Sequence, residues 1–188
     1  MKYSELAASR SDHGVRVTEL EAALVQSLKS TPESCPTLEI GFREGGSTIL
    51  TLGLMLEMGQ KREMVTVDLE ASMNDEVARL MDYSGIHHKN YSTSQENFVR
   101  EKAGICTWGW VYFDADHNQD TVARDMRLIA PHLAEGCILA VDDVDQWTDI
   151  PDFSDAGLKL LPEMTYYEPD RSPKPHFMAW VKQSNSGT

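Results

Sequence analysis

Two segments of almost unbroken apolar character constrain the fold of this chain more than any other feature. They read WGWVYFDA at 108–115 and GCILAVDDV at 136–144, and an amphipathic stretch with helical periodicity lies between them at 120–133. Strands without polar alternation are buried on both faces, as in a parallel sheet covered by helices. Parallel neighbours joined through a helix need right-handed crossovers. The sequence therefore predicts an α/β fold with a doubly wound sheet.

The rest of the chain continues this alternation and then departs from it. Further strands are predicted at 37–41, 63–69 and 87–92, and helices at 16–29, 47–59, 74–85 and 94–102. Two last strands, at 164–169 and 176–182, follow one another without a helix, which is typical of antiparallel pairing. We therefore expect a mostly parallel, seven-stranded sheet with helices on both faces and a C-terminal antiparallel hairpin.

Length and composition fit one domain of ordinary size. The chain has 188 residues, and it contains neither an apolar run long enough to span a membrane nor an N-terminal signal-peptide pattern. Its three cysteines lack C-x-x-C spacing, so we interpret them as reduced core thiols. These features predict a cytoplasmic protein in which residues 1–188 form a single domain, with residues 1–30 as an N-terminal extension that contains one helix.

A loop with glycines connects the first predicted strand to the helix that follows. Residues 39–48 read EIGFREGGST, which places Glu39, Gly41 and Gly45 in E-x-G-x-x-x-G spacing. In a doubly wound sheet this loop borders the ligand crevice, and glycine lets the backbone approach a ligand closely. The spacing differs from the motifs of dinucleotide enzymes and of phosphate-binding loops. A plain turn, with Ser47 capping the helix, is the structural alternative.

Acidic residues end three of the predicted strands at what should be one edge of the sheet. Asp68 ends the second strand, where a carboxylate can accept hydrogen bonds from ribose hydroxyls. Asp114, with His117 close behind it, ends the fourth strand, and Asp142 and Asp143 end the fifth. Carboxylates brought together repel one another unless a cation or proton intervenes, and their oxygens suit Mg²⁺. Helix capping and solvent contact are the alternative explanation for these acids.

Together these motifs resemble a known class of enzymes. The resemblance is carried by residues 37–145, which contain LEIGFREGGST, VTVDL and VYFDADHNQDTVARDMRLIAPHLAEGCILAVDDV. They are similar to the S-adenosylmethionine (SAM)-dependent methyltransferases of the Rossmann-like class, and within it to the macrocin- and rhamnosyl-type O-methyltransferases and cephalosporin-hydroxylase-like proteins. The cofactor contacts that the resemblance implies are Glu39, Gly41 and Gly45 beside the methionine part, Asp68 on the ribose, and Ser94 with Ser92 and Gln95 near the adenine. Ser47 and Asp114 are further predicted cofactor contacts.

The resemblance also implies a metal site and a catalytic base. In catechol- and caffeoyl-CoA-type O-methyltransferases, an Asp after the fourth strand and an Asp–Asn pair after the fifth bind metal. Asp114, Asp142 and Asp143 match those positions, although Asp143 stands where those families have Asn. Those families place a catalytic Lys three residues after the first Asp, whereas this chain has His117, as in the D-x-D-H form of the macrocin-like group. Histidine accepts a proton near neutral pH, so His117 is the predicted general base.

The leading hypothesis is a SAM-dependent methyltransferase that methylates a hydroxyl of a small molecule, a sugar or a natural product, with help from Mg²⁺. The alternatives are a nitrogen or macromolecular acceptor, a module that binds SAM or a nucleotide without catalysis, and an NAD-type oxidoreductase, which the glycine spacing disfavours. The formal charge of −13 argues against nucleic acid as a partner. We expect no membrane partner, and we expect a homodimer because few residues precede the first strand to cover the acceptor.

Overall fold

The computed structural model of the protein describes residues 17–43, 45–69, 75–167 and 174–184. Residues 1–16 of the predicted N-terminal extension and residue 44 of the predicted cofactor loop lie outside the described residues. The elements are, in chain order, α1 (Val17–Ser30), β1 (Thr37–Ile40), α2 (Gly46–Glu57), β2 (Met64–Asp68), α3 (Asp75–Ser84), β3 (His88–Ser92), α4 (Gln95–Lys102), β4 (Trp110–Phe113), α5 (Gln119–Ile129), β5 (Ile138–Val141), β6 (Leu158–Leu160), β7 (Tyr166–Tyr167) and β8 (Pro175–Lys182).

The strands form a mixed sheet in the order β3–β2–β1–β4–β5–β8–β6, with β7 also paired to β8. Strands β1 to β5 run parallel, and β8 runs antiparallel to its neighbours β5, β6 and β7. The chain winds outward from β1 to β3 and then returns to β4, so the strand order reverses between β1 and β4. Ligands bind at such a switch point in open α/β sheets. The predicted doubly wound, mostly parallel sheet is confirmed.

The predicted number of strands was wrong by one. Within the described residues the sheet has eight strands rather than seven, because Leu158–Leu160 pairs with the C-terminal part of β8. Three residues are too few to show the alternation that identifies a strand in a sequence. The predicted first strand of the hairpin is represented by Tyr166–Tyr167, which pairs with the beginning of β8.

Apolar side chains cover both faces of the sheet. On one face, Phe98 of α4 and Met126 of α5 pack against strand residues such as Val111. On the other face, Leu24 of α1 and Leu50 of α2 pack with further strand residues, among them Trp110. All four residues of β4 are buried, as the apolar run predicts for a central parallel strand.

Helix α5 is shorter than predicted. It ends at Ile129, and a short 3₁₀ helix at Ala130–His132 replaces the last predicted turn. Pro131 explains the difference, since its ring removes a backbone donor and crowds the preceding turn. No helix in the described parts of the chain is both long enough and apolar enough to cross a membrane.

A buried arginine fixes α1 at the end of the sheet opposite to the glycine loop. The side chain of Arg62 is 1% exposed, and its guanidinium donates to the carbonyls of Leu28 (2.6 Å), Thr31 (2.8 Å) and Cys35 (3.2 Å). It also donates to the hydroxyl of Thr31 (2.8 Å) and to the side-chain oxygen of Gln60 (2.7 Å). These bonds satisfy carbonyls that the end of a helix otherwise leaves without donors.

Candidate active site

The glycine loop packs directly on the end of β4. Gly41 has a φ of +88°, and a Cβ atom at this position would lie 2.3 Å from the backbone oxygen of Asp114. Gly45, at the start of α2, has a φ of +81°, and a Cβ atom there would lie 2.7 Å from a methyl carbon of Val77. Only glycine fits such conformations at such short distances. The loop and the end of β4 therefore form one continuous surface at the switch point.

Glu39 belongs to β1, just before the glycine loop, and its side chain contacts the first turn of α2. Its carboxylate is buried and accepts hydrogen bonds from the hydroxyls of Ser47 and of Thr48 (2.7 Å). Burial raises the pKa of Glu39 to about 7, against the lowering effect of these two hydrogen bonds. The side chains of Glu39 and Ser47, both predicted to contact SAM, thus bind each other in this structure.

Asp68 holds the loop from the other side. It ends β2, and its carboxylate accepts hydrogen bonds from the backbone N–H groups of Phe42 and Arg43, both at 3.1 Å. Arg43 has a φ of +38°, which is unusual for a residue with a side chain. The predicted ribose contact therefore lies at the junction between the second strand and the glycine loop, and Asp68 also fixes the conformation of that loop.

The residues predicted near the adenine have local partners. The hydroxyl of Ser92 donates to the carbonyl of Leu69 (3.2 Å), and Ser94 caps α4 by accepting from the backbone N–H of Asn97 (3.3 Å). Gln95 is buried; it donates to the carboxylate of Asp125 (3.0 Å) and accepts from the backbone N–H of residue 116 (3.4 Å). Gln95 thus links the region after β3 to the loop after β4.

The predicted carboxylates do come together at the ends of β4 and β5. Asp142 accepts hydrogen bonds from the hydroxyl of Tyr112 (3.0 Å) and from the backbone N–H of Asp143 (3.0 Å). Burial, followed by repulsion from Asp142 and Asp143, raises the pKa of Asp114 well above its usual value. Burial and the charge of Asp143 also raise the pKa of Asp142. The cluster is therefore a place where a positive charge would be stabilised.

Two histidines flank Asp143, one of which the sequence analysis missed. The Nε2 atom of His117 lies 3.7 Å from one carboxylate oxygen of Asp143, and the Nε2 atom of His176 lies 2.8 Å from the other. Asp143 has a left-handed backbone (φ 53°), which Asp tolerates better than most residues. His176 is the second residue of β8. Only the antiparallel pairing of β8 with β5 brings it to this edge, and the sequence did not indicate which strand β8 would pair with.

The donor atoms of the cluster fit a divalent cation. Ligand atoms of Asp142, Asp143 and His176 all lie within 4.8 Å of one another, whereas Asp114 is not part of this close group. In the described ranges, no Lys or Arg forms an ion pair with Asp114, Asp142 or Asp143. Three carboxylates without a fixed cationic partner, next to an imidazole, match the ligand types of protein metal sites.

A cavity of about 870 Å³ lies beside His117. Its lining includes the polar side chains of Asn118, Gln119, Gln146 and Thr148. Gln119 accepts hydrogen bonds from the backbone N–H (2.8 Å) and hydroxyl (3.0 Å) of Thr148, which ties the start of α5 to the loop after β5. A cavity of this size accommodates a small molecule, and amide and hydroxyl groups can hydrogen-bond a hydroxylated one.

Comparison with known proteins identifies the family. Residues 38–144 match the methyltransferase domain family. The rhamnosyl O-methyltransferase of Mycobacterium leprae is 29% identical over 107 residues, which make up 56% of this chain and 47% of that protein. The chain therefore spans about half the length of the curated relatives that it matches.

Solved structures share the fold at low sequence identity. The O-methyltransferase TomG from Streptomyces achromogenes, solved with SAM, has a TM-score of 0.63 at 14% identity, over 97% of this chain and 90% of TomG. The MycE methyltransferase, solved with Mg, SAH (S-adenosylhomocysteine) and mycinamycin VI, has a TM-score of 0.66 at 12% identity, over 97% of this chain and 54% of MycE.

The match to the methyltransferase domain family and the similarity to rhamnosyl O-methyltransferases, together with the strand order, confirm the predicted resemblance to the Rossmann-like class of SAM-dependent methyltransferases. Because the family match covers more than half of its length, the chain belongs to the methyltransferase domain family.

Proposed function

We propose that the protein uses SAM to methylate a hydroxyl group of a small molecule, a sugar or a natural product. The observation that carries this proposal is the position of His117. Its imidazole faces Asp143 of the acidic cluster and also lines the 870 Å³ cavity. The names of the relatives, which are rhamnosyl O-methyltransferases, support an oxygen acceptor.

The glycine loop would hold SAM, which supplies the methyl group of its sulfonium centre when bound. Gly41 and Gly45 let this loop pack closely against Asp114 and Val77, which fixes its shape at the switch point where a ligand binds. Asp68 would hold the ribose while it keeps the loop N–H groups of Phe42 and Arg43 in place. Ser94, at the start of α4, would lie near the adenine.

His117 would act as the general base. Its Nε2 atom would take the proton of the acceptor hydroxyl, whose oxygen would receive the methyl group that bound SAM supplies. The imidazolium that forms is stabilised by the carboxylate of Asp143, 3.7 Å away. The Nδ1 atom of His117 is buried and has no hydrogen-bond partner among the described residues, so Nε2 is the nitrogen placed to exchange protons.

Asp142 and Asp143 would hold a divalent cation, Mg²⁺ according to the sequence analysis, with Asp114 beside them. When bound, such a cation supplies positive charge that orients the acceptor oxygen and lowers the pKa of its hydroxyl. The raised pKa values of Asp114 and Asp142 support this role, since a cation would relieve the repulsion that raises them.

The test is transfer of labelled methyl groups from SAM to a panel of hydroxylated sugars and natural products, with a divalent cation or with EDTA. We expect His117→Asn to lower kcat by about 10²- to 10⁴-fold and to leave the Kd for SAH unchanged. His87→Asn is the matched control, because His87 is exposed and ion-paired to Glu63. No transfer to any acceptor, or full activity of His117→Asn, would contradict the proposal.

A further inference from the structure

His176 reaches the acidic cluster because of the direction of β8. Strand β8 is antiparallel to β5, and its residue Met178 is paired with Val141, the last residue of β5. The beginning of β8 therefore lies where β5 ends, and His176 lies next to Asp142 and Asp143. His176 is buried, and only 6% of the residue is exposed to solvent.

The imidazole of His176 is poorly satisfied by hydrogen bonds. Its Nε2 atom lies 2.8 Å from a carboxylate oxygen of Asp143. Its Nδ1 atom lies 3.2 Å from a carboxylate oxygen of Asp145, yet their geometry is not that of a hydrogen bond, and Nδ1 has no hydrogen-bond partner among the described residues. A metal-binding histidine commonly directs its other ring nitrogen to a carboxylate, so the position of Asp145 beside Nδ1 suits an imidazole that offers Nε2 to an ion.

The spacing of the ligand atoms matches that around a metal ion. Two ligands about 2.1 Å from an ion lie about 3.0 Å apart when they are at right angles and about 4.2 Å apart when they are opposite. The distance from His176 Nε2 to Asp143 is 2.8 Å, and all three ligand atoms, including that of Asp142, lie within 4.8 Å of one another. The 4.8 Å limit is slightly wider than the span across an ion, so the three side chains would move closer together on binding one.

The neighbouring groups favour a cation at this position. Asp142 and Asp143 are adjacent in the chain and face Asp114, and no Lys or Arg in the described part of the chain forms an ion pair with them. Arg43 acts electrostatically on Asp114 without forming an ion pair with it. His117 and His176 can each balance one charge only when protonated. A bound divalent ion would balance two.

An imidazole ligand changes which metal the site prefers. Mg²⁺ favours six oxygen ligands and keeps several waters, whereas imidazole nitrogen suits first-row transition ions. We propose that Asp142, Asp143 and His176 form a mixed oxygen–nitrogen site for a divalent first-row transition ion, in place of the all-oxygen magnesium site formed with Asp114. The catalytic use of this metal rests on the proposed function, whereas its binding can be measured without SAM or an acceptor.

Electron paramagnetic resonance with Mn²⁺ as the probe tests this site in the full chain. We expect the wild type to bind Mn²⁺ and to show hyperfine coupling from one histidine nitrogen, and a large excess of Mg²⁺ not to displace the ion. Labelling the histidine nitrogens isotopically should change the coupling, which identifies an imidazole ligand without any mutation.

Variants assign the ligand to one histidine. In His176→Gln we expect the nitrogen coupling to disappear and Mn²⁺ affinity to fall by at least about tenfold, whereas His117→Asn should keep the coupling. Circular dichroism of each variant checks folding, and the labelling experiment on the wild type covers the case in which His176→Gln does not fold. Absence of Mn²⁺ binding, binding without nitrogen coupling, or loss of the coupling in His117→Asn alone would overturn the proposal.

Failure of this site and failure of the proposed function are distinguishable. SAH binding in EDTA reports on the glycine loop and needs no metal. A protein that binds SAH and shows Mn²⁺ without nitrogen coupling would keep the proposed function and lose this site.

Discussion

At the scale of single residues, Gly41 is the position where the fold leaves least room. We expect Gly41→Ala to lower the free energy of unfolding by at least about 2 kcal/mol, because the left-handed backbone is strained and the added Cβ would meet the backbone of β4. The matched control is Gly59→Ala, which has a φ of +68° and no atom within 4 Å of its added Cβ. Urea unfolding of both variants measures the difference, and equal losses would contradict the close approach at Gly41.

Glu39 is a residue whose charge should make stability depend on pH. Its pKa is raised from 4.5 to about 7 in the folded protein, so the folded state holds the proton more tightly than the unfolded state. The contribution of protonated Glu39 to the free energy of unfolding is therefore fully present below about pH 4.5, and it is lost as the pH rises through about 7. Its size is at most about 3 kcal/mol, on the scale of 1.4 kcal/mol for each pKa unit.

Glu39→Gln should remove this dependence, because the amide stays neutral and can still bond the hydroxyls of Ser47 and Thr48. In urea unfolding without SAM, we expect the variant to be more stable than the wild type at about pH 8 and to have equal stability at about pH 4. The comparison isolates Glu39 from the other buried acids, which both proteins share. The same difference at both pH values would show that Glu39 is ionised equally in both states.

At the scale of secondary-structure elements, Arg62 holds the end of α1. We expect Arg62→Met to lower the free energy of unfolding by about 3 kcal/mol, since it leaves the buried carbonyls of Thr31 and Cys35 without a donor and leaves Leu28 with only the amide of Gln60. The control Arg79→Met removes an exposed arginine that bonds within its own helix and should cost less than about 0.5 kcal/mol. Chemical unfolding measures the free energy of unfolding of both variants. A small decrease for Arg62→Met would mean that water replaces the hydrogen bonds of Arg62.

The longer elements were predictable from the sequence, and the short ones were not. Strands β4 and β5 show as apolar runs, because burial on both faces selects apolar side chains. Strands β1 and β2 also contain Thr and an acidic residue each, and the regular alternation with helices predicted them. Strand β6 consists of only three residues, and its pairing depends on β8, about 20 residues further along the chain. Interactions of this kind leave no local pattern. The predicted end of α5 lies too far along the chain. The apolar periodicity continues past Pro131, whereas the α-helical backbone does not.

At the scale of the whole molecule, the topology explains which site residues the sequence revealed. The carboxyl ends of parallel strands meet at one edge, so Asp68, Asp114 and the pair Asp142–Asp143 could be placed together before the structure was known. His176 could not be placed at this edge from the sequence, because it lies near the beginning of its strand rather than at the end. It lies at this edge only because β8 runs antiparallel beside β5.

The central claim, that the chain is a SAM-dependent methyltransferase, is tested most directly by calorimetric titration with SAM and SAH. We predict binding with micromolar Kd to the wild type and loss of binding in Asp68→Ala, because Asp68 anchors the glycine loop and is the residue predicted to hold the ribose. His87→Asn, on the surface, should bind as the wild type does. Absence of SAM and SAH binding to the folded wild type, with or without a divalent cation, would contradict the account.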